Sequence, residues 1–214
     1  MNKTLITVLV IAVLAIGAYL YVTRAPSAPS QDITDFNATS SIAGTYNIVA
    51  SESMVKFEVG EILNGSPFTA VGTTTQIAGT ITVDADSVSL GTIRINARTF
   101  KTDNDRRDGA IARAILRSEA AANEFIVFEP TSVQGPARPL ASTAQKFTVS
   151  GNLTIAGVTK PATFSIDAAI VNGTVIGTAT TVVSRSDYGL VIPSVPFVAS
   201  VDDEVKISAD IVAR

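Results

Sequence analysis

Hydrophobic and polar residues alternate along most of the chain from residue 44 onward, which is the pattern of strands that bury one face. The clearest case begins at residue 147, where every second residue falls on one face: Phe147, Val149, Gly151, Leu153 and Ile155. A tight turn at Ala156–Gly157 then leads into a second strand with Phe164, Ile166 and Ala168 at alternate positions. This stretch predicts a β-hairpin with one buried face.

Shorter alternating segments, separated by turn-forming residues, precede and follow this hairpin. Their apolar positions are Val55, Phe57 and Val59; Ile77, Gly79, Ile81 and Val83; Ile93, Ile95 and Ala97; Ile126 and Phe128; and, after the hairpin, parts of 175–183 and 205–213. Many short strands of this kind are typical of an antiparallel sandwich or barrel. We therefore predict one all-β domain over residues 44–214.

The interval 103–123 departs from this alternation. Ile111, Ile115 and Leu116 are at helical spacing, and Asp105 is a candidate N-cap. We predict one or two short helices here, covering one end of the barrel.

The faces assigned to the interior carry several small residues: Gly79, Ala97, Gly151, Ala168, Gly177, Ala179 and Ala209. Small residues among larger apolar ones leave space for an apolar ligand, although glycines in barrel strands also mark sharp bends. The first interpretation predicts a ligand-binding interior with this lining: Val55, Phe57, Val59, Ile81, Ile95, Phe128, Val149, Gly151, Phe164 and Ala168.

Residues 4–23 carry no charge and are rich in Leu, Ile, Val and Ala. Because about 20 helical residues span the hydrocarbon core of a bilayer, we predict a transmembrane anchor, with residues 1–3 in the cytoplasm. A cleaved signal peptide is the alternative, but Pro26 disfavours cleavage after Ala25. Residues 24–43 are rich in Pro, Ser and Ala and predict a flexible linker. The anchor interpretation predicts a single-pass inner-membrane protein with its β-domain on the periplasmic side.

The net charge of -3 and the lack of a basic, aromatic-containing run argue against nucleic-acid binding. Basic residues nevertheless cluster between positions 94 and 117. They form either a solvated face, partly neutralised by neighbouring aspartates, or a cationic rim that contacts headgroups or a membrane surface. The rim would consist of Arg106, Arg107, Arg113 and Arg117.

The chain has no histidine and no cysteine, which excludes histidine-based triads, thiol nucleophiles and zinc sites with nitrogen or sulfur ligands. Acidic pairs such as Asp202–Asp203 lie at predicted turns, where aspartate usually serves turn geometry. We therefore expect no catalytic residue, no metal and no cofactor apart from a bound lipid.

The block G-N-L-T-I-A-G-V-T-K-P at 151–161, followed by R-S-D-Y-G at 185–189, resembles the YceI-like family. Weaker blocks follow the family's order: G-T-Y-N-I at 44–48, S-M-V-K-F-E-V at 53–59, I-V-F-E-P at 126–130 and D-E-V-K-I at 203–207. The resemblance implies an exported, lipocalin-like antiparallel β-barrel of about eight strands that holds a polyisoprenoid lipid.

Together these observations predict a membrane-tethered β-barrel that binds a long-chain isoprenoid lipid, of quinone or polyprenyl type, for transport, storage or sequestration. Two alternatives come from other classes. One is a structural envelope or adhesion domain with a filled core; the other is an enzyme that acts on a lipid or quinone headgroup. Whether the protein forms a homodimer is left open.

Overall fold

The computed structural model describes residues 44–84, 87–136, 140, 142–194 and 198–214. Apart from short helical segments, the regular structure in these residues is β-strand, which confirms the all-β prediction. The strands are β1 (Thr45–Asn47), β2 (Met54–Leu63), β3 (Ser66–Thr74), β4 (Ile77–Ala78), β5 (Thr80–Val83), β6 (Val88–Leu90), β7 (Ile93–Asn96), β8 (Phe125–Gln134), β9 (Gln145–Ile155), β10 (Val158–Val171), β11 (Thr174–Ser184) and β12 (Val198–Ala213).

Nine of these strands form one antiparallel sheet in the order β3-β2-β12-β11-β10-β9-β8-β7-β4, and β1-β5-β6 form a second, smaller sheet. The large sheet curls into a half-barrel with its apolar residues on the inner face. An isolated bridge between Ile48 and Ala213 links the segment after β1 to β12, and another joins Thr73 to Lys101. The small sheet and the helical segment cover the remaining side.

The described residues form twelve strands, more than the eight or so expected, and one cause is an interruption of the long segment between β3 and β5. Gly79 separates β4 in the large sheet from β5 in the small sheet. A Cβ atom at Gly79 would lie 2.3 Å from Cδ1 of Ile93, so a larger residue here would force the Ile93 side chain to move. One extended stretch therefore contributes to both sheets.

The predicted hairpin at Ala156–Gly157 is confirmed. Ile155 pairs with Val158, and the two turn residues have φ values of 49° and 81°. Positive φ at both positions is the geometry of a type I′ turn, whose twist matches that of the flanking strands. The turn fixes the register of β9 and β10 and so decides which residues face inward.

The interval 103–123 contains one α-helix, α1 (Asp105–Ala110), which continues as a π-helical turn over Ile111–Ile115. The N-cap is Asn104, one residue before the predicted Asp105. Its Oδ1 accepts hydrogen bonds from the N–H groups of Arg106 at 2.9 Å and Arg107 at 3.3 Å. The N–H of Leu116 donates to the carbonyl of Ile111 at 2.8 Å, a bond across five residues. Regular α-helical spacing is therefore lost from Ile111 onward.

The predicted cytoplasmic N-terminus (1–3), transmembrane anchor (4–23) and linker (24–43) lie outside the described residues. Within the described part of the chain, no helix has the length and apolar character that crossing a bilayer demands. The anchor, the alternative signal peptide and the linker stay predictions.

Candidate functional site

A cavity of about 450 Å³ lies between the inner face of the large sheet, the small sheet and the α1 segment. Ligand pockets typically have volumes of roughly 300–1,000 Å³, so the cavity is large enough for a small molecule or a folded-back hydrocarbon chain. Its wall is almost wholly apolar and includes Ile166, Ala179, Val183, Ile207, Ala209 and Ile211 from β10, β11 and β12.

The exposure of inward-facing residues shows that side chains do not fill this space. On β10, Phe164, Ile166 and Ala168 face inward, yet all three are only half-buried. On the neighbouring β9, by contrast, the inward residues Val149 and Leu153 are each 2% exposed. The accessible surface of the β10 residues therefore belongs to the cavity wall.

The structure brings eight of the ten predicted interior residues to the cavity: Val55, Phe57, Val59, Ile81, Ile95, Phe128, Phe164 and Ala168. Val149 and Gly151 are not part of its wall. A Cβ atom at Gly151 would lie 2.8 Å from the Phe128 ring and 2.4 Å from the carbonyl oxygen of Glu129. That ring, which packs edge-on against Phe164 at 4.8 Å between centroids, occupies the space that the sequence assigned to a ligand.

At one end of the cavity the wall becomes polar. The inward register of β2 continues from Val59 to Glu61 and Leu63, so a carboxylate interrupts an apolar row. The Glu61 side chain is 7% exposed, and its Oε1 accepts a hydrogen bond from Nη2 of Arg107 at 3.0 Å. Arg107 also pairs with Asp103, and its guanidinium lies 5.3 Å from the centroid of the Phe68 ring. Because a buried carboxylate needs a partner, this contact joins α1 to β2.

Two further arginines line the same end. The guanidinium of Arg185 donates to the carbonyls of Leu190 at 3.1 Å, Asp202 at 3.0 Å and Val201 at 3.4 Å. Arg106, on the first turn of α1, is exposed. We call this end of the cavity the mouth; its lining residues are Glu61, Leu63, Arg106, Arg107, Arg185, Ile192, Pro193, Val198 and Val201.

Only two of the four arginines of the predicted rim reach the cavity. Arg113 is 6% exposed at its side chain and donates to Glu119 at 3.0 Å, while Arg117 donates to the carbonyl of Ala156 at 3.3 Å. An unbroken α-helix would have kept positions 106, 113 and 117 close to one face. The π-helical turn and the positive φ of 51° at Arg117 break that spacing.

The opposite end of the cavity is closed. β11 has Val175 near this end, and Arg185 follows its last residue at the mouth. Val175 is 1% exposed and Ile48 is 3% exposed. Just beyond them, Arg214 at the end of β12 donates to Glu52 at 2.7 Å. This hydrogen bond lowers the pKa of the Glu52 carboxyl below its ordinary value.

Residues 46–213 match the family model of the YceI-like domain. The chain belongs to the YceI-like family. A search of the curated proteins finds none that matches it.

Several solved structures share the fold of this YceI-like domain. Burkholderia cenocepacia BcnA aligns with a TM-score of 0.61 and 18% identity over 78% of this chain and 99% of BcnA. A polyisoprenoid binding domain from Saccharophagus degradans aligns with a TM-score of 0.60 and 14% identity over 79% and 97% of the two chains. The YCEI protein of Campylobacter jejuni aligns with a TM-score of 0.53 and 17% identity over 66% and 82%. At these identities the likeness shows the lipocalin-like fold alone.

The sequence analysis missed several residues at the mouth of the YceI-like domain. Glu61 carried a usable signal, because it is the one charge in the inward register of β2. Arg185 entered the sequence analysis only as part of the R-S-D-Y-G block; it lies 3.9 Å from Asp203 and donates to three carbonyl groups. Within the same R-S-D-Y-G block, Tyr188 is 2% exposed, and burial raises the pKa of its phenol. The block therefore builds the wall beside the mouth.

Proposed function

We propose that this YceI-like protein binds a long-chain isoprenoid lipid, of quinone or polyprenyl type, inside its cavity and holds it for transport, storage or sequestration. The observation that carries the proposal is the row of inward apolar residues on β10 that other side chains leave uncovered. Family membership supports it, as does the shared fold with a polyisoprenoid binding domain from Saccharophagus degradans.

The energetics of the cavity favour an apolar chain. Burial contributes about 0.8 kcal/mol per CH₂-sized group, before the cost of ordering the chain is subtracted. A wall without polar groups along most of its length gives no specific orientation to a small polar substrate. We therefore propose a binding protein rather than an enzyme.

We further propose that the β-domain is exported and held at the inner membrane, on the periplasmic side, by an uncleaved helix over residues 4–23. The uncharged composition of this stretch supports the anchor. A flexible linker over residues 24–43 would span about 25 Å, which allows the domain to meet the bilayer. Intact-mass measurement of the protein from cell membranes tests the anchor: we expect residues 4–23 to be present, and cleavage near Ala25 would support the signal peptide instead.

Lipid binding is tested by extracting the detergent-purified full chain with organic solvent and measuring the released molecules by mass spectrometry. We expect an isoprenoid at close to one molecule per chain, removed when the protein is unfolded before purification. A protein free of any isoprenoid or acyl chain would support the structural-domain alternative. A phospholipid mixture that matches the membrane composition would show carry-over and contradict the proposal.

A further inference from the structure

The mouth of the cavity carries an excess of positive charge in a protein whose net charge is -3. Three arginines and one glutamate line it. A fourth cation of the cavity wall, Lys56, lies in the outward register of β2 and pairs with Glu58 at 3.3 Å. The question is therefore which of the three arginines has a guanidinium that is still able to meet a ligand.

Two of the three are already engaged. Arg107 contacts the carboxylates of both Glu61 and Asp103, so its charge is neutralised within the protein. Arg185 donates to three main-chain carbonyls and lies 3.9 Å from the carboxylate of Asp203. Neither can turn toward a ligand without breaking contacts that hold the mouth together.

Arg106 differs from its neighbours. Within the described residues, its guanidinium takes part in no hydrogen bond or ion pair, although it lines the cavity. The adjacent Asp105 is exposed and does not line the cavity. The inward-facing carboxylate of Glu61, which would repel an anion, is compensated by Arg107. Among the charged side chains that line the mouth, Arg106 is therefore the one whose charge is available to a negative group of a ligand.

The closed end determines which part of a ligand would meet this arginine. A chain that fills the cavity ends among Val175 and Ile48, which are 1% and 3% exposed, so its other end lies at the mouth. A phosphate or carboxylate at that end would come within reach of the guanidinium while the chain stays in the apolar part. A neutral hydroxyl or quinone ring would gain no ionic contact there.

We propose that Arg106 contacts the headgroup of the bound chain and that the protein selects isoprenoids with an anionic head over neutral ones of the same length. This inference rests on the proposed lipid-binding function. Because the side chain is exposed, its contribution is modest: a pair of this kind favours the anionic ligand about five-fold, and less at high salt.

The test uses two probes with one chain, geranylgeraniol and geranylgeranyl monophosphate, offered in equal amounts to the delipidated full chain and counted by native mass spectrometry. We expect the monophosphate to be bound about five-fold more than the alcohol. In the Arg106→Gln variant this preference should fall to near unity because binding of the monophosphate weakens. The matched control is Lys146→Gln, which removes a positive charge from the outer face, where Lys146 is 86% exposed, and should keep the preference.

The outcomes separate the two proposals. If the wild type binds neither probe, the lipid-binding function fails. If it binds both equally, or if Arg106→Gln keeps the preference, lipid binding stands and the headgroup assignment is overturned. Inorganic phosphate should leave the bound monophosphate in place; displacement by it would show an anion site that needs no chain and would also contradict the assignment.

Discussion

On the inner face of the large sheet, the strands β8–β9 and the strands β10–β12 use small residues in opposite ways. On the β8–β9 half, Gly151 lies beneath the Phe128 ring, and Gly135 lies beneath the Phe147 ring, where an added Cβ would come within 2.2 Å of it. On the β10–β12 half, a Cβ added at Gly177 would meet only the main-chain oxygen of Asp167 and the Cβ of Ala168 at about 3 Å. Both halves contribute to the cavity wall, but in the first half rings cover the glycines, whereas in the second half small residues line the cavity themselves.

The difference shows that a small inward residue does not by itself create a cavity. A glycine leaves a gap in the sheet surface, and the neighbouring strand decides whether an aromatic ring fills it. On β10, β11 and β12 four small residues line the cavity: Ala168, Gly177, Ala179 and Ala209. At Gly177 the atoms nearest to an added Cβ belong to Asp167 and Ala168 and not to a ring. Cross-strand neighbours, rather than composition, separate the packed half from the open half.

The largest effect that this comparison predicts is for Gly151→Ala. The new methyl group would lie 2.4 Å from the main-chain oxygen of Glu129, which cannot rotate away, so we expect a loss of about 2–4 kcal/mol in unfolding free energy. The matched variant Gly177→Ala meets its nearest atom at 3.0 Å and should lose about 1 kcal/mol. Urea unfolding of both measures the gap, and equal losses would contradict a packed β8–β9 half.

Filling the open half should affect ligand binding more than stability. Ala168→Trp places an indole in the proposed path of the lipid, and we expect bound isoprenoid to fall at least several-fold while the unfolding free energy changes by under about 2 kcal/mol. The chain contains no other tryptophan, so the indole emission reports an apolar environment directly. Ser165→Trp, on the outer face of the same strand, is the control. Full lipid occupancy in Ala168→Trp would place the ligand elsewhere.

Truncating matched valines should reproduce the contrast at a smaller scale. Val149 is 2% exposed and packed on all sides, so Val149→Ala should cost about 2 kcal/mol from lost burial and an added void. Val59 is half-buried and faces the cavity, so Val59→Ala should cost under about 1 kcal/mol in delipidated protein. Thermal unfolding of the delipidated variants checks both values. A larger loss at Val59 would mean that the β2 side is as tightly packed as β9.

The smallest effect concerns the end of β12, where Arg214 holds the carboxylate of Glu52. Because this contact lowers the pKa of Glu52 in the folded state, its contribution to stability is complete above the ordinary carboxyl pKa and disappears as pH falls through the lowered value. Glu52→Gln should therefore be slightly less stable than wild type near pH 7, with the difference vanishing in acid. Urea midpoints of both proteins from pH 7 to pH 3 measure this difference in stability. A difference that stays constant with pH would mean that the loss comes from packing.

Alternation along the chain predicted the strands, the Ala156–Gly157 hairpin and most of the inward residues, because period two follows directly from strand geometry. It could not predict that Gly151 is covered, since this depends on the register between β8 and β9. That register changes at a bulge between Pro130 and Ser132. A bulge shifts every later pairing by one residue and has no simple signature in a single sequence.

The rim of four arginines shows the same limit in the helical segment. Spacing along 103–123 indicated a helix, and α1 confirms that one is present. The rim was predicted from the clustering of basic residues, and the change to a π-helical turn at Ile111, which separates Arg113 and Arg117 from Arg106, was not visible in the sequence. In the structure, their guanidinium groups bind Glu119 and the carbonyl of Ala156.

The closed end of the cavity has a consequence for how a lipid would travel. In a bilayer the head lies at the surface and the tail points inward, whereas here the tail would end at Val175 and the head would stay at the mouth. A lipid that moves from the bilayer into the cavity must therefore reverse its orientation, with its tail leaving the membrane before its head. The head can remain at the water boundary throughout, so a charged group never crosses an apolar region and the transfer avoids the cost of dehydrating it.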